Sequence, residues 1–212
     1  MVTTADLLGA VQRSFAVTAR ELSPWPDPHP NLAAPADDEY SRVSDPAKWR
    51  IVRARADAWF TALEDAHLAQ VEHAASVRWT TTLGTEVTST DRALPHRRGA
   101  LPLVVAHSRI TDVDDALVTL GVGDPAVCVG LLPGCACDAC DPGSQHVLDE
   151  LDEMVAGVVS GTFRHLVRKD STITQFGPGG WTGSNVGRHD VDALLADPTG
   201  WRQTSGVSWI DD

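Results

Sequence analysis

Near the start of the chain Leu8, Val11, Phe15 and Leu22 recur at helical spacing and predict a first helix over about residues 4–21. Pro24, Pro26, Pro28, Pro30 and Pro35 then forbid helical continuation, because each fixes φ and removes a backbone donor, and they leave an extended connector over 23–36. Asp45-Pro46 supplies a capping carboxylate and a proline at the favoured first helical position. The second helix that follows carries Trp49, Val52, Ala56, Phe60 and Leu63 as its buried stripe. Val71, His73, Ala75, Val77 and Trp79 alternate with polar neighbours, the period of a half-buried strand, and Leu83-Gly84 turns it into a second strand over 86–90.

From Leu101 the pattern gives a strand, an acidic turn over 112–115, a strand over 117–122, a Gly-Asp-Pro turn and a strand over 126–132. Turns this short imply antiparallel pairing. The strand over 126–132 is apolar on both faces and is expected at the centre of its sheet. Val147, Leu148, Leu151, Met154, Val155 and Val158 mark a central amphipathic helix. Beyond it come a hairpin (163–167 and 172–176), a glycine-rich loop over 177–183 around Trp181, a short helix over 191–196 and a last strand ending at Trp209. The chain therefore reads as one α+β domain over 1–212, a mainly antiparallel sheet of about six to eight strands packed against N-terminal helices and one central amphipathic helix. Its helical part is 1–66 and its sheet-containing part 67–212.

Composition narrows the partners. With 212 residues and 42% hydrophobic content the chain can bury a core without staples. A net charge of -12 repels phosphate backbones and anionic lipid, so neither nucleic acid nor membrane is expected as a partner. The small basic cluster His96, Arg97 and Arg98 reads as a solvated turn. No apolar run reaches bilayer length and no basic-then-apolar leader opens the chain, which points to the cytoplasm.

The pointed chemistry lies in the loop over 133–143. Three of the four cysteines, Cys135, Cys137 and Cys140, fall within six residues there, and in a reducing compartment such crowding favours a metal or reduced thiols over structural disulfides. Small alanines at 136 and 139 leave the sulfurs free to converge on one zinc ion, which prefers four ligands. His146 is the nearest candidate for the fourth, although its helical stripe with Glu150 and Glu153 also suits a solvated side chain. His165, His107 or a carboxylate elsewhere would close the site as well. Cys128 lies inside a strand, too far along it to join, and reads as a core cysteine. The simplest rival is three reduced thiols packing a loop; a redox thiolate at Cys140 lacks a thioredoxin-like frame. Prolines and glycines fill the loop and almost nothing apolar pins it, so a bound metal would supply the constraint between strand and helix.

Asp112, Asp114 and Asp115 suit a hard cation but also an ordinary acidic turn. Trp25, among prolines, suits either a partner surface or docking onto its own domain. No catalytic-serine elbow, zinc-protease helix, phosphate loop or dinucleotide fingerprint occurs.

The run from Gly134 to Asp141 with Pro142-Gly143-Ser144, then Val158-Val159-Ser160-Gly161, and then Ala196 to Trp201 with Ser208-Trp209, resembles a family of uncharacterised proteins from high-GC bacteria. Their loop reads close to G-C-x-C-D-A-C-D-x-G-S, and the resemblance covers the C-terminal two-fifths best. It implies no activity and transfers no catalytic residue; it makes the three cysteines a family feature. Three functional readings remain in play. One is a non-enzymatic binding or regulatory protein with structural zinc. Another is an enzyme whose catalytic zinc sits at the same loop with Asp138 or Glu150 as base. The third is an acidic immunity-type protein that binds a basic protein partner.

Overall fold

The computed structural model describes residues 2–178, 180–187 and 190–210. Helix α1 (Thr4–Thr18) opens on a reciprocal cap: Asp6 N–H donates to Thr3 Oγ1, and Thr3 N–H donates to the Asp6 carboxylate. It stops before residue 21 because the chain leaves through a turn in which Leu22 N–H donates to the Ala19 carbonyl. Asp45 caps the second helix as its sequence predicts, its carboxylate accepting from Ala47 N–H at 3.2 Å. The first turn, Pro46–Trp49, is 3₁₀, and α2 proper runs Arg50–Asp65. All five members of the expected stripe are buried, with Leu7 and Val11 of α1 in the same core.

Five strands follow one another as an antiparallel meander in chain order: β1 (Ala69–Glu72), β2 (Val87–Pro95), β3 (Leu103–Ile110), β4 (Val113–Val122) and β5 (Val127–Leu132). Then come α3 (Ser144–Val159), β6 (Arg164–Arg168), β7 (Ser171–Gly177), β8 (Gly180–Ser184), α4 (Val191–Ala196) and β9 (Arg202–Ser205). The later strands make a second antiparallel sheet in the order β8-β7-β6-β9. The class is α+β, with the antiparallel strands divided between two sheets. α2 lies on β4 and β1, α3 reaches from β5 to β7, and the two helices touch. Arg55 of α2 grips both oxygens of Asp152 on α3, and Trp59 Nε1 donates to the same carboxylate at 2.7 Å.

Four local expectations are corrected. β1 ends at Glu72, because the chain turns at Ala74 with φ 50° and Trp79 departs to bridge Ala126 of another part of the sheet. β5 is an edge strand, not a central one. Its apolar faces are explained by Met154, which lies where a Cβ on Gly130 would sit, and by residues 78–80, whose backbone exchanges hydrogen bonds with Ala126 and shields the edge. The glycine-rich stretch is no loop: Trp181 pairs opposite Gln175 in β8. The last strand stops at Ser205, and Trp209 is buried beyond it with its N–H on the Val159 carbonyl. No described helix is long and apolar enough to cross a membrane.

Candidate metal centre

The cysteine loop leaves β5 at Leu132 and enters α3 at Ser144, with a single 3₁₀ turn at Asp138–Cys140. The sulfurs of Cys135, Cys137 and Cys140 all lie within 4.8 Å of one another, and the Cys135 thiol donates to Cys137 at 3.2 Å. Cys137 is buried, whereas Cys135 and Cys140 are exposed. Zinc–sulfur bonds of about 2.3 Å place tetrahedral sulfurs about 3.8 Å apart, so chelation would open the Cys135–Cys137 pair slightly within a trio whose sulfurs already lie within 4.8 Å of one another. Acceptance of the Cys135 hydrogen bond pulls the Cys137 thiol below its usual value. Cys140 is pushed up to about 11, chiefly by its interaction with Cys137 and then with Cys135. Ionisation is thus favoured at Cys137 and opposed at Cys140.

The aspartates interleaved with these cysteines do other work. Asp138 accepts from Ser44 N–H at 2.9 Å, Ser44 Oγ at 2.5 Å and Arg42 Nε at 2.7 Å, while its own N–H donates to the Arg42 carbonyl. These bonds, those from Ser44 first, hold its carboxyl well below the usual carboxylate range. Asp141 is buried, accepts from Trp25 Nε1 at 2.9 Å and Gly143 N–H at 2.9 Å, and pairs with Lys48. The Lys48 ammonium lies over the rings of Trp25 and Trp49, which meet edge to face at 5.3 Å. Ser144 Oγ completes the seam by accepting from Trp25 N–H. Gly143 must be glycine here: its φ is 81°, and a Cβ would stand 2.6 Å from Asp27 N. The connector is therefore strapped across the loop, and Trp25 docks on its own chain. This corrects the expectation that the constraint between strand and helix is missing from the loop and would be supplied by a bound metal. Polar contacts from Arg42, Ser44, Trp25 and Lys48 already do so.

The remaining candidates fall elsewhere. His146 is exposed on the first turn of α3 and is not part of the thiol group. Glu150 has its carboxyl pushed up by burial. Cys128 is half-buried on β5 and stands apart from the three thiols, as its strand position predicts, but it faces a cleft instead of the core. Asp114 pairs with Arg109 and Asp115 with Arg53 at 2.5 Å, while Asp112 accepts from the Thr111 hydroxyl at 3.1 Å, so two of the three carboxylates of the acidic turn are already held by arginines. His107 is fully buried between α2 and the first sheet, with Nε2 3.0 Å from Asp91, and groups with Asp57 and Asp91. Burial pushes the Asp57 carboxyl up. Sequence reading missed this second group; its only signal is an acid and a histidine on apolar strand faces.

His165 sits on β6 with Nδ1 2.8 Å from Thr174 Oγ1. Burial, reinforced by Arg202, lowers its pKa from 6.5. The unfolded chain then binds the proton more readily, so this residue's stabilisation is complete above about pH 6.5 and is lost as pH falls through the folded value. Urea denaturation at pH 7.5 and pH 5 should show a larger stability loss in the wild type than in His165→Gln. Equal losses would remove His165 as a source of the acid sensitivity.

No curated protein and no solved structure matches the chain. Residues 11–209 match a family of unknown function, DUF6226, well beyond the C-terminal two-fifths on which the resemblance rested. A thiol trio strapped by its own connector is thus set within a fold that matches this family along nearly its whole length, and the chain belongs to DUF6226.

Proposed function

We propose that this protein is a non-enzymatic binding or regulatory domain of a reducing cytoplasm, in which Cys135, Cys137 and Cys140 hold one zinc ion. The observation that carries this reading is the convergence of three sulfurs within 4.8 Å on a loop that is already braced from outside. Bracing lowers the entropy lost on chelation, because the ligands need not be collected from a mobile segment. The commitment of Asp138 to Ser44 and Arg42 speaks against Asp138 as the base of the catalytic alternative, since it leaves that carboxylate neither free nor basic. Exposure of Cys135 and Cys140 favours a fourth position directed at solvent, where His146, a water or a ligand from a basic protein partner would complete the shell.

Metal analysis of protein purified under reducing conditions without chelator tests this. We expect about one zinc per chain, lost in Cys137→Ser and retained in Cys128→Ala. Cys128→Ala should cost only about 1 kcal/mol, the low end for a truncation, because this thiol is half-buried. His146→Ala separates a protein fourth ligand, whose loss weakens zinc binding, from a solvent one. Absence of metal, with all four thiols freely titratable in the folded state, would sink the zinc reading.

A further inference from the structure

The second sheet has two unlike faces. Leu166, Ile173 and Trp201 point to one side, where Val191 of α4 covers them in a small apolar core. On the other side the paired positions of β7, β6 and β9 read Thr174–His165–Thr204 and Thr172–Val167–Arg202. A sheet face turned toward another sheet normally carries apolar residues that interdigitate with it. This one instead meets the β4–β5 turn at Asp124 and the start of β5 at Cys128, across a cleft of about 680 Å³. That volume lies within the range of small-molecule sites.

The polar groups in the cleft are placed but incompletely used. His165 and Thr174 are each 6% exposed and bonded to one another, and the second ring nitrogen of His165 has no hydrogen-bond partner among the described residues. Arg202 and Lys169 both line the cleft, and neither has a carboxylate partner among the described residues. Of the two carboxylates lining it, Asp124 is paired with Arg78 at 3.2 Å, which leaves Asp170 on the turn beside Lys169. On a chain of net charge -12, two unpaired cations against the one unpaired carboxylate of Asp170 leave this concavity with a positive excess. Threonine hydroxyls donate and accept alike and so match hydroxyl groups, while among the described residues no Phe, Tyr or Trp ring lines the cleft, whose one aromatic side chain is the His165 imidazole bonded to Thr174.

We propose that this cleft binds a small hydroxylated molecule bearing one oxyanion, with Arg202 and Lys169 taking the charge and Thr172, Thr174, Thr204 and His165 taking the hydroxyls. It is separate from the thiol loop and does not depend on the zinc reading. Cys128 offers a built-in reporter, because it lines this cleft while Cys135 and Cys140 are exposed elsewhere. The test is the rate of iodoacetamide alkylation at each cysteine, read by mass spectrometry, with ribose 5-phosphate as the phosphate probe, gluconate as the carboxylate probe and ribose as the neutral control. Protection of Cys128 by one anionic probe, with Cys135 and Cys140 unchanged, is the expected result and identifies which oxyanion is preferred. Arg202→Gln and Lys169→Gln should each weaken that protection by about tenfold in probe concentration. Three results would overturn the proposal: no protection by either anionic probe at about 10 mM, where even a site with a Kd of about 1 mM would be about nine-tenths occupied; equal protection by ribose; or protection that survives in the Arg202→Gln, Lys169→Gln double variant.

Discussion

Replacing Asp141 by alanine is expected to lower the unfolding free energy by about 3 kcal/mol, the lower end of what breaking a buried charge pair costs. The Asp141 side chain is 2% exposed, and the substitution strands three donors at once: the Trp25 indole, the Gly143 amide and the Lys48 ammonium. Lys48 is 19% exposed and can recover part of its hydration, which is why the lower end applies. Losing this carboxylate should also release the connector, since Trp25 and Lys48 are held to the loop through it. Urea denaturation followed by tryptophan fluorescence would report both effects, with an early change from Trp25 preceding global unfolding. Asp141→Asn, which keeps an acceptor for Trp25, should fall between wild type and alanine. Asp138→Ala should be milder, because its partner Arg42 is 46% exposed and its pair is largely screened. A loss below about 1 kcal/mol for Asp141→Ala would be the size of one ordinary hydrogen bond and would show that the strap is held some other way.

The Cys-x-Cys-Asp-Ala-Cys-Asp loop shows which kind of information the chain displays locally and which it hides. Convergence of Cys135, Cys137 and Cys140 follows from spacing within one turn of backbone, so reading the residues was enough. The role of Asp141 depends on Trp25, 116 residues away, and no local pattern encodes a partner at that distance. Asp45 illustrates the legible side again, since a cap requires only residues two or three positions apart. β5 and residues 71–79 illustrate the other. Both are apolar in the manner of ordinary strands, yet Trp79 crosses to shield the β5 edge, and a Cβ on Gly121 would lie 2.6 Å from the Trp79 ring. Burial set by such a crossing looks identical, in sequence, to burial at the middle of a sheet. The second sheet was readable only in part: the hairpin over 163–176 was visible, but not that its polar side would be turned inward.

Gly157→Ala is expected to destabilise the protein by about 3 kcal/mol, opposite in sign to what helix propensity alone predicts. In an exposed helix interior the same change would gain about 0.5–1 kcal/mol, because glycine loses more backbone entropy on folding than alanine does. Here a Cβ would stand 2.1 Å from the Phe176 carbonyl oxygen and 2.8 Å from the Phe176 Cβ. Backbone cannot rotate aside as a flexible side chain would, and this carbonyl is fixed further by the Thr162 hydroxyl, which donates to it at 2.6 Å. The Gly157 carbonyl in turn accepts from Phe163 N–H at 2.9 Å, so helix and following strand are tied at the same point. Relief requires α3 and β7 to separate. Amide exchange should therefore rise first in β6 and β7, with α1 and α2 little affected, and anion protection of Cys128 should weaken in the same variant because the cleft face moves with those strands. A Gly157→Ala protein as stable as the wild type or more so, with unchanged exchange in β7, would mean that the helix and the second sheet are not in the close contact that positions the cleft.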